Sequence, residues 1–190
     1  MQNEKTMRMF IAVDLPHAII EEVQRIQRYF KKKNLFDGRY PNENVTHLTL
    51  KFLGNVSQNI VPDIRSALRE ISAVPMQATL DSVQFFGDAQ DMKVIFIKIK
   101  SPFLQSFAQS IDLALMPWCA LEKRDFVAHV TVARVNKIFN TERTVDAIHA
   151  CNVNPLSFAI DSFVLKESIL LPAGPEYHEI ERYVLRKDNE

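Results

Sequence analysis

Two short segments of the chain, His47-Leu48-Thr49-Leu50 and His129-Val130-Thr131-Val132, share one form: a histidine and a threonine two residues apart, each followed by an apolar residue. In a β-strand, alternate side chains point to the same face. Each segment, read as a strand, therefore sends an imidazole and a hydroxyl to one side and packs aliphatic side chains on the other. Two such strands side by side would gather two proton-transfer groups and two hydroxyl donors around one small anion.

A single His-x-Thr means little, because a lone histidine on a strand is usually a satisfied core residue. With five histidines and seven threonines in 190 residues, two chance matches arise in roughly one or two chains per hundred, and the apolar requirement lowers that by roughly a factor of twenty. The other histidines lack this context. His17 follows a helix start at Pro16, His149 lies in a polar helix and His178 opens a late strand, so all three read as structural or surface groups.

The competing chemistries fit less well. A zinc site needs three or four ligands at recognisable spacing, and nothing near His47 or His129 supplies them. Threonine is a poor zinc ligand but a good donor to phosphate oxygens. The chain has no Gly-x-Ser-x-Gly elbow, and neither cysteine adjoins a candidate base. Two histidines of similar pKa, one neutral and one protonated near pH 7, instead make a matched base and acid.

Bulk properties narrow the partners. Lys and Arg balance Asp and Glu at 23 against 23, so no global field draws the chain to nucleic acid, and a polyanion must be held by local contacts. That disfavours long duplexes and allows a nucleic-acid end or a small phosphate ester. Cys119 and Cys151 read as free thiols of a reducing compartment. The polar start lacks a signal-peptide core, and no stretch reaches membrane-span length. We expect a cytoplasmic chain.

At 47% hydrophobic residues, 190 residues bury a substantial core. Arg8–Asp14 reads as a buried strand, and Pro16 opens a helix with Ile19, Val23, Ile26 and Phe30 on one face and Lys31-Lys32-Lys33 at its negative end. The first His/Thr strand spans about Thr46 to Phe52, and a helix with Pro62 in its first turn follows. Two strands, Gln77–Phe86 and Lys93–Lys98, flank a hairpin loop. A helix from about Pro102 to Trp118, the second His/Thr strand from Phe126 to Arg134, a polar helix over Thr141–Ala150, and strands near Leu156–Leu165 and Tyr177–Arg186 complete the chain. The order is α+β with helices outside mixed or antiparallel sheets. The chain has no linker, and four glycines exclude a glycine-rich nucleotide loop.

Paired His-x-Thr-x motifs about eighty residues apart resemble the two-histidine phosphoesterase superfamily, and within it the LigT-like RNA 2′,3′-cyclic phosphodiesterases, historically called 2′-5′ RNA ligases. Arg8-Met9-Phe10-Ile11-Ala12-Val13-Asp14-Leu15-Pro16 is similar to that family's opening strand. His47 to Gly54 carries its first motif with the Phe-Leu-Gly tail, His129 to Arg134 its second motif with the trailing Ala-Arg, and Gly174-Pro175-Glu176-Tyr177 its C-terminal hairpin. Ala128 stands where proline commonly precedes the second histidine.

The resemblance implies a single bilobed domain over residues 1–190, with two sheets in pseudo-two-fold symmetry around a central cleft and no metal or other cofactor. It also implies His47 as proton donor and His129 as proton acceptor in opening a 2′,3′-cyclic phosphate to a 2′-phosphate; the residues alone do not set that direction. Thr49 and Thr131 would hold the phosphate oxygens. Arg134 would add a charged contact, but it lies an odd number of residues from Thr131 and reaches the site only if the strand ends or bulges there. The expected partners are RNA ends or nucleotides bearing a 2′,3′-cyclic phosphate, met by a monomer. The reverse reaction, 2′-5′ joining, would use the same residues. A small-nucleotide cyclic phosphodiesterase and a non-catalytic RNA-end binding module are the other readings. Phe10 and Phe52 are candidates for stacking a base, although such residues more often serve a core.

Overall fold

The computed structural model describes residues 5–172 and 174–186. The opening apolar run forms β1 (Thr6–Asp14), and the amphipathic segment after Pro16 forms α1 (His17–Lys33), closed by Asn34 in the left-handed conformation. There follow β2 (Phe36–Arg39), β3 (His47–Ser57), α2 (Val61–Arg69), β4 (Met76–Phe86), β5 (Val94–Lys100), α3 (Leu104–Ala114), β6 (His129–Ile138), α4 (Thr141–His149), β7 (Ser157–Ile160), β8 (Ser162–Leu171) and β9 (Gly174–Val184).

The α+β class and the antiparallel alternative hold, but the expectation of two sheets is corrected. One continuous sheet runs β7-β4-β5-β6-β3-β1-β8-β9, with β2 beside β6, and every pairing is antiparallel. The two halves fuse because the histidine strands meet at Leu48 and Val130.

The segment 156–165, expected to be one strand, is two. Asp161 divides it, and β7 pairs with β4 while β8 pairs with β1. Consecutive strands separated by one residue thus lie near opposite ends of the strand order. Only a strongly curled sheet permits this, and the seam is tied where the amide of Leu185 donates to the carbonyl of Asp161 and that of Arg186 to the carbonyl of Ala73.

The helices cover the face bearing Leu48, Leu50, Val130 and Val132, all buried with Ile26, Phe30, Ile64 and Ile111 in the core. They cross between halves: α1, which precedes β3, packs against β6, whereas α3, which precedes β6, packs against β3. Helix α3 is shorter than its apolar pattern, because Met116 precedes Pro117 and the α conformation is disfavoured there. The short β2 has no alternation in its sequence to announce it.

Candidate active site

His47 and His129 each open their strand, and both rings are held the same way. Nδ1 of His47 lies 2.8 Å from the Val45 carbonyl, and Nδ1 of His129 lies 2.7 Å from the Val127 carbonyl. A carbonyl only accepts, so each Nδ1 carries the proton and each Nε2 is left for chemistry. In the neutral ring Nε2 is an acceptor, so the Thr49 hydroxyl, 2.9 Å away, donates to Nε2 of His47.

Both strands then bulge at the same point. On β3, Thr49 faces Ala12 and Lys51 faces Ile11, so Leu50 is the extra residue; on β6, Thr131 faces Phe96 and Ala133 faces Ile95, so Val132 is extra. Two consecutive residues therefore turn inward and alternation restarts in the opposite phase. The consequence is that Phe52 follows His47 and Thr49 onto the open face, and Arg134 follows His129 and Thr131. Regular alternation would have turned both away.

Each bulge has a buried polar support. The amide nitrogen of Gln27 on α1, itself buried, donates to the carbonyl of Val132, the extra residue (3.2 Å), and to that of Pro41 (2.8 Å). Lys51 is buried beside the β3 bulge, where its ammonium pairs with Asp112 of α3 and donates to the Ala120 carbonyl (3.0 Å). A second irregularity in β3 ends at Gly54, whose φ of 73° favours glycine.

Aromatic rings wall both imidazoles. Phe10 lies 4.9 Å and Tyr177 5.2 Å from the His47 ring, and Phe86 and Phe96 lie 5.0 and 5.1 Å from that of His129. Burial among these rings lowers His47 to about 4, with Lys166 and Arg134 pushing the same way against the Val45 carbonyl and Asp14. His129 is also lowered by burial, with Arg134 adding to the effect against the Val127 carbonyl. Both histidines are thus neutral near pH 7, in contrast to the one-neutral, one-protonated pair expected from the sequence. Desolvation by the aromatic walls is the cause.

Behind His47 stands an ion cluster that sequence reading missed. Asp14, the register partner of His47, takes Lys166 at 2.5 Å and Arg182 at 2.6 Å. The sequence marked Asp14 as a charge ending an apolar strand, but Lys166 reaches it only through the β1–β8 pairing. Of the two aromatics weighed as base platforms, Phe10 is buried, whereas Phe52 is 63% exposed on the site face. His17 and His178 make only exposed contacts with Glu21 and Glu176. Among the described residues, no three His, Cys, Asp or Glu side chains are grouped as metal ligands, and no helix is long and apolar enough to cross a membrane. Cys119 and Cys151 are free.

Adjacent antiparallel strands, each offering an anchored imidazole and a threonine hydroxyl to one face, make this a two-histidine site. The chain belongs to the 2′-5′ RNA ligase superfamily, whose family model matches residues 15–168. It is 30% identical over 183 residues to the RNA 2′,3′-cyclic phosphodiesterase of Methanothermobacter thermautotrophicus, covering 94% of this chain and 99% of that one. It is 29% identical to the protein of the same name from Methanocaldococcus jannaschii, over 93% and 100% of the two chains. Among solved structures, TT0787 of Thermus thermophilus superposes with a TM-score of 0.77 at 24% identity, over 96% of this chain and all of that one. Escherichia coli LigT complexed with 3′-AMP superposes with a TM-score of 0.73 at 24% identity and the same coverage.

Proposed function

We propose that this chain is an RNA 2′,3′-cyclic phosphodiesterase, which hydrolyses the cyclic end to a 2′-phosphomonoester. The observation that carries this reading is the pair of imidazoles, each anchored through Nδ1 to a main-chain carbonyl so that Nε2 remains for proton transfer. The relatives named above support the substrate class. The strand order on either side of the β3–β6 junction, β3-β1-β8-β9 and β6-β5-β4-β7, supports a pseudo-two-fold arrangement in one bilobed domain with the substrate in the cleft between the motifs.

In the forward reaction water attacks phosphorus in line with O3′, its proton passes to Nε2 of His129, and the P–O3′ bond breaks as Nε2–H of His47 protonates O3′. Thr49, Thr131 and Arg134 donate to the non-bridging oxygens, where negative charge develops. A neutral His47 must gain its proton before it can act as the acid. A bound phosphate anion favours that protonation by bringing negative charge beside the ring. Phe52, exposed beside the motif, offers a face on which a base can stack. Joining a 5′-hydroxyl to the cyclic end would be the same steps in reverse. We assign the chain to the cytoplasm as a monomer without cofactor; the two free thiols accord with that compartment.

The test is hydrolysis of a short RNA ending in 2′,3′-cyclic phosphate, in excess EDTA, with the position of the product phosphate determined. Turnover to a 2′-phosphate is expected. A folded protein that leaves the end intact, or yields a 3′-phosphate, would refute the assignment.

A further inference from the structure

Strand β2 is only four residues long, yet it places one side chain beside the catalytic motif. Arg39 is the register partner of Arg134 on β6. Directly opposed residues of an antiparallel pair share a face, with Cα atoms roughly 4.5–5.5 Å apart. Arg39 therefore stands on the open face next to the guanidinium that the β6 bulge delivers to the two histidines. Gly38 makes this close approach possible, since a Cβ there would lie 2.5 Å from the Arg134 carbonyl oxygen.

Two like charges set opposite each other on paired strands repel and cost stability. Five arginines, Arg25, Arg65, Arg69, Arg124 and Arg182, are each held by a carboxylate. Arg39 and Arg134 are both exposed, and neither forms an ion pair among the described residues. Asp37, on the same strand face as Arg39, is taken by the amide of Asn136 at 3.2 Å. The pair thus forms a local cationic site in a chain whose formal net charge is +0.

We propose that Arg39 and Arg134 read two phosphates: Arg134 the cyclic phosphate, and Arg39 a second phosphate on the 5′ oxygen of the same nucleoside. This deepens the phosphodiesterase reading and rests on it. A cyclic phosphate diester carries one negative charge and can be met by one guanidinium, whereas a polynucleotide end offers a second charge one nucleoside away. The substrate class selected is an RNA end, or a nucleotide bearing a 5′-phosphate, over a bare nucleoside cyclic phosphate. Arg39 is a specificity residue here, not a group acting on the reacting bond.

The test compares wild type with Arg39→Gln on three substrates: adenosine 2′,3′-cyclic phosphate, the same compound carrying a 5′-phosphate, and the dinucleotide ApA with a 2′,3′-cyclic end. Loss of one charged contact should raise KM about tenfold for the last two with kcat retained, and leave the first unchanged. Arg39→Lys should restore part of the loss. The salt dependence of KM for the dinucleotide should also weaken. An effect on the dinucleotide alone would name the internucleotide phosphodiester as the second phosphate. An effect on both would name any 5′-phosphate. Equal losses on all three substrates would put Arg39 at the reacting phosphate and overturn the inference, as would no loss on any while wild type turns all three over. If wild-type protein turned over none, the phosphodiesterase reading would fall and take this inference with it.

Discussion

The half of the sheet around His47 and the half around His129 are built alike and end differently. Each begins with a ring anchored through Nδ1 to the carbonyl two residues back, and each bulges one residue after its threonine. After the bulge one half presents Phe52 and the other Arg134. The flanks diverge too: the register partner of His47 is Asp14, tied to Lys166 and Arg182, whereas that of His129 is Lys98. The two halves thus share a local frame but offer different groups: an exposed ring beside His47, with an ion cluster behind it, and a guanidinium beside His129. A nucleotide end, with a flat base and a charged phosphate, needs both.

The sharpest way to break the comparison is to remove the histidines one at a time. General acid–base catalysis is worth roughly 10²–10⁴-fold, so His47→Asn and His129→Asn should each lower kcat on a cyclic-phosphate RNA by about that factor. Because the two act in one step, the double variant should lose far less than the product of the single losses. Near-normal turnover by either folded variant would end the paired-histidine scheme. Arg134→Gln follows, with an expected loss of about 10²–10³ in kcat, as for other preorganised donors to a developing oxyanion. Phe52→Ala should act mainly on KM, raising it about tenfold if a base stacks there. A loss in kcat alone would instead make Phe52 part of the reacting geometry.

The remaining predictions concern pH. Because His47 is held near 4 against an ordinary value of 6.5, the folded state resists a proton that the unfolded chain accepts. The stability this gives is fully present above pH 6.5 and is lost as pH falls toward 4. At the lower end the loss should reach about 3 kcal/mol. Denaturant midpoints measured across that window should fall for the wild type and stay flatter for His47→Asn. Kinetically, kcat/KM should begin to fall on the alkaline side below the ordinary histidine range, since it reports the free enzyme. The alkaline limb of kcat should lie higher, because the bound phosphate favours protonated imidazole. Coincident limbs would mean that substrate does not charge His47.

Much of the site was legible in the chain because its signal is local. The interval between histidine and threonine sets their common face in any strand, and the apolar residues between them decide which face is buried. Helix α1 was readable for the same reason, through its apolar periodicity and Pro16 at its start. The β2 strand and the division at Asp161 were not readable, since neither depends on its own residues. β2 exists because β6 offers it an edge, and Asp161 breaks a strand because the sheet curls on itself.

Arg134 shows where that boundary falls. Its sequence position forbids it the site in a regular strand, and only the Val132 bulge, held by an amide from a helix more than a hundred residues earlier in the chain, turns it inward. The protonation of the histidines belongs to the same category, since rings from β1, β4, β5 and β9 desolvate them. The sequence by itself determined which groups can move protons and hold an anion, because side-chain chemistry and strand alternation are local properties. The tertiary structure alone decided which of them meet, what charge they carry and what joins them, because burial, register and bulges are set by partners distant along the chain.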